Sequence, residues 1–298
     1  LKRVDYTWRA DPPLSWDDVA QAVAAEPQAL VIVNTKKDAL ALLDVLRPLR
    51  PDVLHLSTLL CGEHRRQVLA DVRRRLTKGQ PCCLVSTQVV EAGVDLDFPS
   101  VWRALAPLDA IIQAAGRCNR EGRLRAGRVT VFRPAEGGLP PGAYTAGAQT
   151  TLALLGQGDL DLHSFAAPRR YYERLLSALD PDRGKVQSLR EHFEFAEVSR
   201  QFHLIDDDSE AVVVEYGSPE QRAHLQALVE RIRQRAPSGR DLFRALQPYV
   251  VSVRRRQAER FRLQGWIAPL AAGLGLWVGR YDLVAGLSTD LSVADLIG

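Results

Sequence analysis

Between Ala29 and Phe132, short apolar runs alternate with segments whose apolar residues recur at helical spacing, and few folds accept that alternation. Residues 29–34 (Ala-Leu-Val-Ile-Val-Asn) are apolar up to their last residue, as a strand buried on both faces must be. A helical stripe follows over 36–47 (Ala39, Leu40, Leu42, Leu43, Leu46) and stops at Pro48. Residues 53–56 read as a second strand and 63–78, closed by Gly79, as a basic helix. Residues 82–86, 101–106 and 129–132 read as three more strands, with a helix over 109–118 before the last. Strand–helix alternation of this kind builds a parallel sheet covered by helices on both faces. Ligands bind such sheets at the carboxyl ends of the strands, where Asn34, Thr35, Ser86 and Thr87 fall.

Beyond Phe132 the pattern changes. Residues 136–147, rich in Gly and Pro, read as a linker, followed by helical segments over 150–155, 168–179 and 187–202. A strand over 211–216, an amphipathic helix over 219–235 and a short helix over 241–247 come next. Strands over 249–253 and 274–278 with glycine turns complete a smaller α+β unit. The expected division is 1–134, 135–200 (mainly helical) and 201–298.

Composition bounds the function. The 298 residues are 46% hydrophobic with a net charge of +3, enough for a real core and against disorder. No apolar run reaches the roughly 18 residues of a membrane span, and no signal-peptide pattern opens the chain. Cys61, Cys82, Cys83 and Cys118 form neither C-x-x-C pairs nor a disulfide ladder, so reduced thiols and a cytoplasmic setting are expected. The sequence contains no methionine and begins at Leu1, which reads as a fragment of a longer protein.

Charge is uneven. Residues 231–262 hold ten arginines against Asp241 and Glu259, residues 117–133 six against Glu121, and residues 191–215 eight acids against Arg200. A solvated face explains such runs as readily as a phosphate-tracking groove does. Asp206, Asp207 and Asp208 read as a solvated loop in preference to a cation site.

Absent motifs narrow the chemistry. There is no G-x-x-x-x-G-K-[ST] loop, no Asp-Glu pair after a strand, no His-Asp dipeptide and no metal-ligand histidine spacing. The glycines of 273–279 do not form a dinucleotide fingerprint, and nucleophile-elbow and Cys/His arrangements are missing. What remains is specific: Val-Ser-Thr-Gln-Val-Val-Glu-Ala-Gly-Val-Asp-Leu-Asp-Phe over 85–98, then Gln-Ala-Ala-Gly-Arg-Cys-Asn-Arg over 113–120. The expected helix places Gln113 and Arg117 on one face, with Arg120 continuing it and Gly116 leaving room for a ligand. Paired arginine forks there suit a terminal phosphate.

With residues 31–39 (Val-Ile-Val-Asn-Thr-Lys-Lys-Asp-Ala), 55–58 (His-Leu-Ser-Thr) and 108–122, these blocks resemble the second RecA-like domain of superfamily two helicases. Within that superfamily they resemble the CRISPR-associated helicase-nuclease of type I interference systems. The runs at 246–253 and 281–287 resemble that family's C-terminal accessory domain less specifically. The resemblance implies an α/β, RecA-like parallel sheet with helices on both faces, then a helical linker and a smaller α+β accessory domain. It implies an ATP-dependent single-stranded DNA helicase, inactive as this chain alone. Arg120 would be the arginine finger, Arg117 its neighbour, and Gln113 would position phosphate or water. Gly93, Asp95 and Gly116 would line the nucleotide cleft. Asn34, Thr35, Ser86 and Thr87 would touch the DNA strand, and Arg254, Arg255 and Arg256 would roof it. His55, Ser57, Thr58, Arg65 and Arg66 carry weaker expectations of the same kind. ATP with magnesium is implied, the phosphate loop and magnesium ligands lying in a first RecA-like domain outside this chain. Implied partners are single-stranded DNA, that domain with its nuclease domain, and the CRISPR surveillance complex, Cascade. A non-catalytic nucleic-acid docking module and a different superfamily two helicase remain open; the 113–120 arginine segment speaks against the first.

Overall fold

The computed structural model describes residues 3–91, 93–158, 160–164, 166–179, 182, 185–201, 208–234 and 240–288. Its first part runs β1 (Val4–Leu14), α1 (Trp16–Ala24), β2 (Gln28–Ile32), α2 (Lys36–Leu46), β3 (Leu54–Leu56), α3 (Gly62–Thr77), β4 (Cys82–Ser86), β5 (Ser100–Ala104), α4 (Leu108–Ala115) and β6 (Gly127–Pro134). The strands form one sheet in the order β1-β6-β5-β2-β4-β3, every neighbouring pair parallel.

The two-residue period of a strand divides this core. Leu30, Ile32, Leu84, Val101 and Val129 face α3 and α4, whose Val68, Val72, Ile111 and Ala114 complete one layer. Ala29, Val31, Val85, Trp102 and Phe132 face α1 and α2, whose Val19, Val23, Leu42 and Leu46 complete the other. Both faces of the central strands are therefore buried, which is why their sequences run apolar without alternation. The α/β architecture expected from residues 29–132 is borne out.

Two elements precede the first expected strand. β1 pairs with β6 at the sheet edge and alternates Val4, Tyr6, Trp8 and Ala10 inward, until Pro12 and Pro13 interrupt its register. α1 opens on a capping box, Ser15 and Asp18 bonding each other's backbone amides, and buries Trp16, Val19, Ala20 and Val23.

After β6 come α5 (Ala143–Gly156), α6 (Ala166–Ala178), α7 (Val186–Glu191) and α8 (Phe195–Gln201). α5 takes up part of the stretch expected as linker. Gly147 lies inside it because a Cβ there would fall 2.6 Å from the Tyr171 hydroxyl. The single helix expected over 187–202 is two, broken at Phe193, whose φ is +56°; residue 202 lies outside the described residues.

The smaller unit runs β7 (Ser209–Val213), α9 (Pro219–Arg233), α10 (Arg240–Leu246), β8 (Val250–Arg254), α11 (Arg255–Leu263), β9 (Ile267–Ala271) and β10 (Leu274–Trp277), ending in a hairpin of β11 (Tyr281–Asp282) and β12 (Gly286–Leu287). Its mixed sheet is ordered β8-β7-β10-β9. One face buries Leu225, Leu228 and Ile232 of α9 with Leu242 and Leu246 of α10. The other, through Val212, Val251, Val253 and Trp277, packs against Leu59 and Cys61 in the loop between β3 and α3. Gly286 is required at this junction: its φ is +85°, and a Cβ would approach the Leu59 carbonyl to 2.4 Å.

All four cysteines are free and buried. Burial pushes the thiols of Cys82, Cys83 and Cys118 up to about 11, 12 and 12, and raises Cys61 as well. The native protein is therefore expected to leave a thiolate-selective disulfide reagent unreacted at mildly alkaline pH, while denaturant releases all four thiols. Rapid native labelling of any of them would contradict this burial.

Candidate functional site

Because every strand of the large sheet is parallel, the carboxyl ends converge on one edge. The loop after β4 leaves this edge and runs to the amino end of β5, where it meets the turn after α4. They are zipped together. Phe98 donates its amide to the Arg117 carbonyl at 2.9 Å and accepts from the Asn119 amide at 3.0 Å. Asp97 takes the backbone amide of Arg120 at 2.7 Å. Across this seam the Arg120 guanidinium pairs with Asp95 at 3.0 Å, the two side chains 43% and 77% exposed. Gly93 turns the loop at φ +71° with open space around it.

The pairing of Gln113 with Arg117 on one helix face is corrected. α4 ends at Ala115, so Gln113 is exposed on its last turn while Arg117 and Arg120 lie in the turn beyond. Asn119, buried at φ +44°, produces that turn: its amide group donates to the Arg3 and Leu124 carbonyls and its Oδ1 accepts from the Leu124 amide. Gly116 leaves room for the helix itself, since a Cβ would meet the Gln113 carbonyl at 3.1 Å. Arg117 is buried, its Nε donating to the Val90 carbonyl at 3.0 Å and an Nη to the Glu91 carbonyl at 2.6 Å. Burial first, then the neighbouring Arg120, lowers its pKa. The two arginines therefore differ: Arg117 clamps the loop and Arg120 stands open.

The strand-end polar residues differ in the same way. Ser86 is buried and its hydroxyl is taken up by the Leu56 and Thr87 carbonyls. Asn34 is buried too, its amide donating to the Leu105 carbonyl at 2.9 Å. Neither side chain has surface for a nucleic-acid strand. Thr35 caps α2, its hydroxyl accepting the Asp38 amide at 3.1 Å. Thr87, which follows β4, is buried like Asn34. Beside Thr35 sits Lys36, its pKa lowered by burial and, secondarily, by the Arg254 guanidinium of the smaller unit. Arg255 and Arg256 are exposed at the start of α11, Arg255 lying 3.5 Å from Asp208. His55 and Ser57 are buried beneath the terminal hairpin, where a His55 ring nitrogen lies 3.1 Å from the Val284 carbonyl. Arg66 is held by Glu63 at 2.6 Å. Asp206 and Asp207 lie outside the described residues, among which no metal-holding cluster occurs.

A buried network beneath this edge escaped the sequence reading. Arg103 on β5 has no solvent exposure. One of its terminal nitrogens donates to Asn34 Oδ1 at 2.8 Å and to the Ala104 carbonyl at 2.9 Å. The other donates to the Tyr144 hydroxyl at 2.7 Å and lies 2.9 Å from the Glu91 carboxylate. Burial raises the Glu91 pKa, and Arg103 opposes the rise. Its one signal in sequence is an arginine interrupting the apolar run at 101–106.

Residues 25–123 match the model of a family described as CRISPR-associated nuclease/helicase Cas3, C-terminal. The CRISPR-associated nuclease/helicase Cas3 of Haloferax volcanii is 46% identical over 74 residues, 24% of this chain and 8% of that protein. Residues 25–123 are similar to the Cas3-like C-terminal family. The resemblance carried by the blocks at 31–39, 86–95 and 108–122 is thus borne out. The fold extends further: T. fusca Cas3 with AMPPNP superposes with a TM-score of 0.61 at 19% identity, over 97% of this chain and 41% of that one. A chain of a CRISPR RNA-guided surveillance complex, pre-nicking, gives 0.57 at 18% identity, over 96% and 44%. The chain thus spans less than half of each of these relatives. No helix among the described residues is long and apolar enough to cross a membrane.

Proposed function

We propose that this chain is the C-terminal half of an ATP-driven single-stranded DNA helicase, coupled in the full protein to a nuclease domain that degrades target DNA. The observation that carries the reading is the seam between 95–98 and 117–120, which presents Arg120 to solvent on an exposed carboxylate. A guanidinium held only by a solvated carboxylate is free to exchange it for a phosphate. That fits ATP as substrate. A first RecA-like domain would hold the nucleotide and its magnesium, and closure would bring Arg120 onto the γ-phosphate, where it neutralises developing charge. Arg117, clamped on the Val90 and Glu91 carbonyls, fixes the loop that carries Gly93 and Asp95. Gln113, exposed at the end of α4, would face the same cleft.

The DNA strand would run along the carboxyl edge. The amino end of α2, capped by Thr35 and flanked by Lys36 and Arg254, gathers two cations at a helix N-terminus of eleven residues. Like charges held together there cost energy that a backbone phosphate relieves. Arg255 and Arg256, both exposed, would extend the path over the smaller unit. Asn34 and Ser86 act from beneath, shaping the turns. Residues 201–298 would serve as accessory domain and 135–200 as linker to it. The solved surveillance-complex relative supports Cascade as a partner.

Single-stranded-DNA-stimulated ATP hydrolysis tests the reading. The chain alone should be inactive, and mixing it with a polypeptide carrying the first RecA-like domain should restore stimulated turnover. Turnover by the chain alone, or none on mixing, would overturn the assignment.

A further inference from the structure

Among the described residues Arg103 is the largest side chain with no solvent exposure. Taking a guanidinium and a carboxylate out of water costs more than their attraction returns, unless the remaining polar atoms find partners. Its strand neighbours Val101, Trp102 and Ala104 show that an apolar residue would suit the core there. A buried Arg–Glu pair is therefore poorly explained by stability. What it supplies is geometry, because a planar fork fixes several acceptors at once.

Those acceptors belong to two different parts of the edge. Glu91 lies in the loop after β4, and its backbone carbonyl is the one that Arg117 grips at 2.6 Å. Asn34 ends the apolar run of β2 and immediately precedes Thr35 and Lys36. Its Oδ1 accepts from Arg103 and from Tyr144 at 2.9 Å, while its carbonyl takes the Gln88 side chain at 2.7 Å. An unbroken chain of contacts of 3.0 Å or less thus runs from Arg117 through Glu91 and Arg103 to Asn34.

We infer that Arg103 is a positioning residue that couples the arginine segment 117–120 to the turn at 34–36, with Glu91 as the link. The inference rests on the proposed ATP-driven translocase. Movement of the 88–95 loop when Arg120 meets phosphate would be passed through Glu91 and the rigid guanidinium to Asn34. It would shift the turn whose threonine caps α2. Tyr144, from α5, braces the same guanidinium and so ties the segment after β6 into the relay.

Two variants test this. Arg103→Lys keeps the charge and loses the fork; Glu91→Gln combined with Arg103→Met removes both charges, so no buried ion is orphaned. Hydrogen exchange is read on this chain itself. Protection at 33–38 and at 87–95 should fall together in both variants, with the melting temperature of the double variant near wild type. ATP hydrolysis is read with the first RecA-like domain present. Basal turnover and KM for ATP should hold within about twofold, while stimulation by single-stranded DNA falls about tenfold, within the range of site–site couplings. Exchange confined to one of the two loops, or basal and stimulated rates falling in proportion, would overturn the coupling. Absence of stimulation in the wild-type mixture would instead remove the translocase reading. The exchange measurement keeps the two failures apart.

Discussion

Replacing Arg120 by alanine is expected to lower DNA-stimulated ATP turnover about 10³–10⁵-fold, the range that an arginine finger supplies. The expectation follows from what the side chain does now. It makes one solvated ion pair, to Asp95, and such pairs contribute about 0–1 kcal/mol to stability. The backbone bond from the Arg120 amide to Asp97 survives truncation. The variant should therefore unfold at nearly the wild-type denaturant midpoint, so that lost turnover reports on the reaction. Asp95→Ala, which frees Arg120 without removing it, should alter turnover by no more than about fivefold. Arg117→Ala should behave in the opposite sense. It strips two charge-assisted bonds from buried carbonyls, each of about 1.5–3 kcal/mol, and should lower stability first. Should Arg117→Ala abolish turnover in a fully stable protein while Arg120→Ala keeps it within tenfold, the finger would be Arg117 and the present assignment of the two arginines would be reversed.

That distinction between the arginines marks where sequence reasoning stops. Residues 82–86 were legible to the residue, because a strand buried on both faces must be apolar throughout and Gly79 and Pro81 punctuate its start. β1 was harder to see: only one of its faces alternates cleanly, and prolines 12 and 13 look like a loop. The Gln113–Arg117 pairing assumed that a helix continues through Gly116, whereas the left-handed Asn119 and the bridge from Phe98 to Cys118 end it. The blocks themselves were legible because their spacing along the chain is short. Which members point outward was not. Asn34, Ser86 and Arg117 are polar residues of these blocks whose side chains are consumed inside the protein by partners 26–71 positions away. The Arg103 network draws on residues 34, 91 and 144, a coincidence that no local pattern encodes.

Acidification is expected to loosen the junction between the two sheets, and the sign of the effect can be worked out. His55 and His64 are both buried there, and burial lowers each to about 4 from an ordinary 6.5. His64 stacks on Tyr216 with centroids 4.3 Å apart, and a ring nitrogen lies 3.0 Å from the Tyr281 hydroxyl, which also receives the Cys61 amide. The charged groups facing them are Arg47 and Asp282, paired at 2.8 Å. Burial would raise Asp282, but the Ala285 and Val284 amides and Arg47 hold it below the carboxylate range, so it loses charge only at more acid pH. A cation-forming group lowered on folding leaves stability intact above the unfolded value and removes it as pH falls toward the folded one. The window is therefore from about 6.5 down to about 4, and each histidine should cost about 2 kcal/mol by about pH 5. Together they give about 4 kcal/mol, a large fraction of a domain's stability. The urea midpoint should fall steeply across that window, with hydrogen exchange rising first over 281–287 and the 57–62 loop. His64→Phe, which keeps the stack on Tyr216 and cannot be protonated, should remove about half the slope. A midpoint that is flat between about pH 7 and pH 5, or a His64→Phe slope equal to wild type, would show that protonation of these rings is not what the junction resists. If the slope appears, the consequence reaches the proposed DNA path. The terminal hairpin presses on the loop after β3 through the Leu287 amide and Leu59 carbonyl, 3.1 Å apart. Arg254, at the end of β8, would then keep its register with Lys36 only while both imidazoles stay neutral.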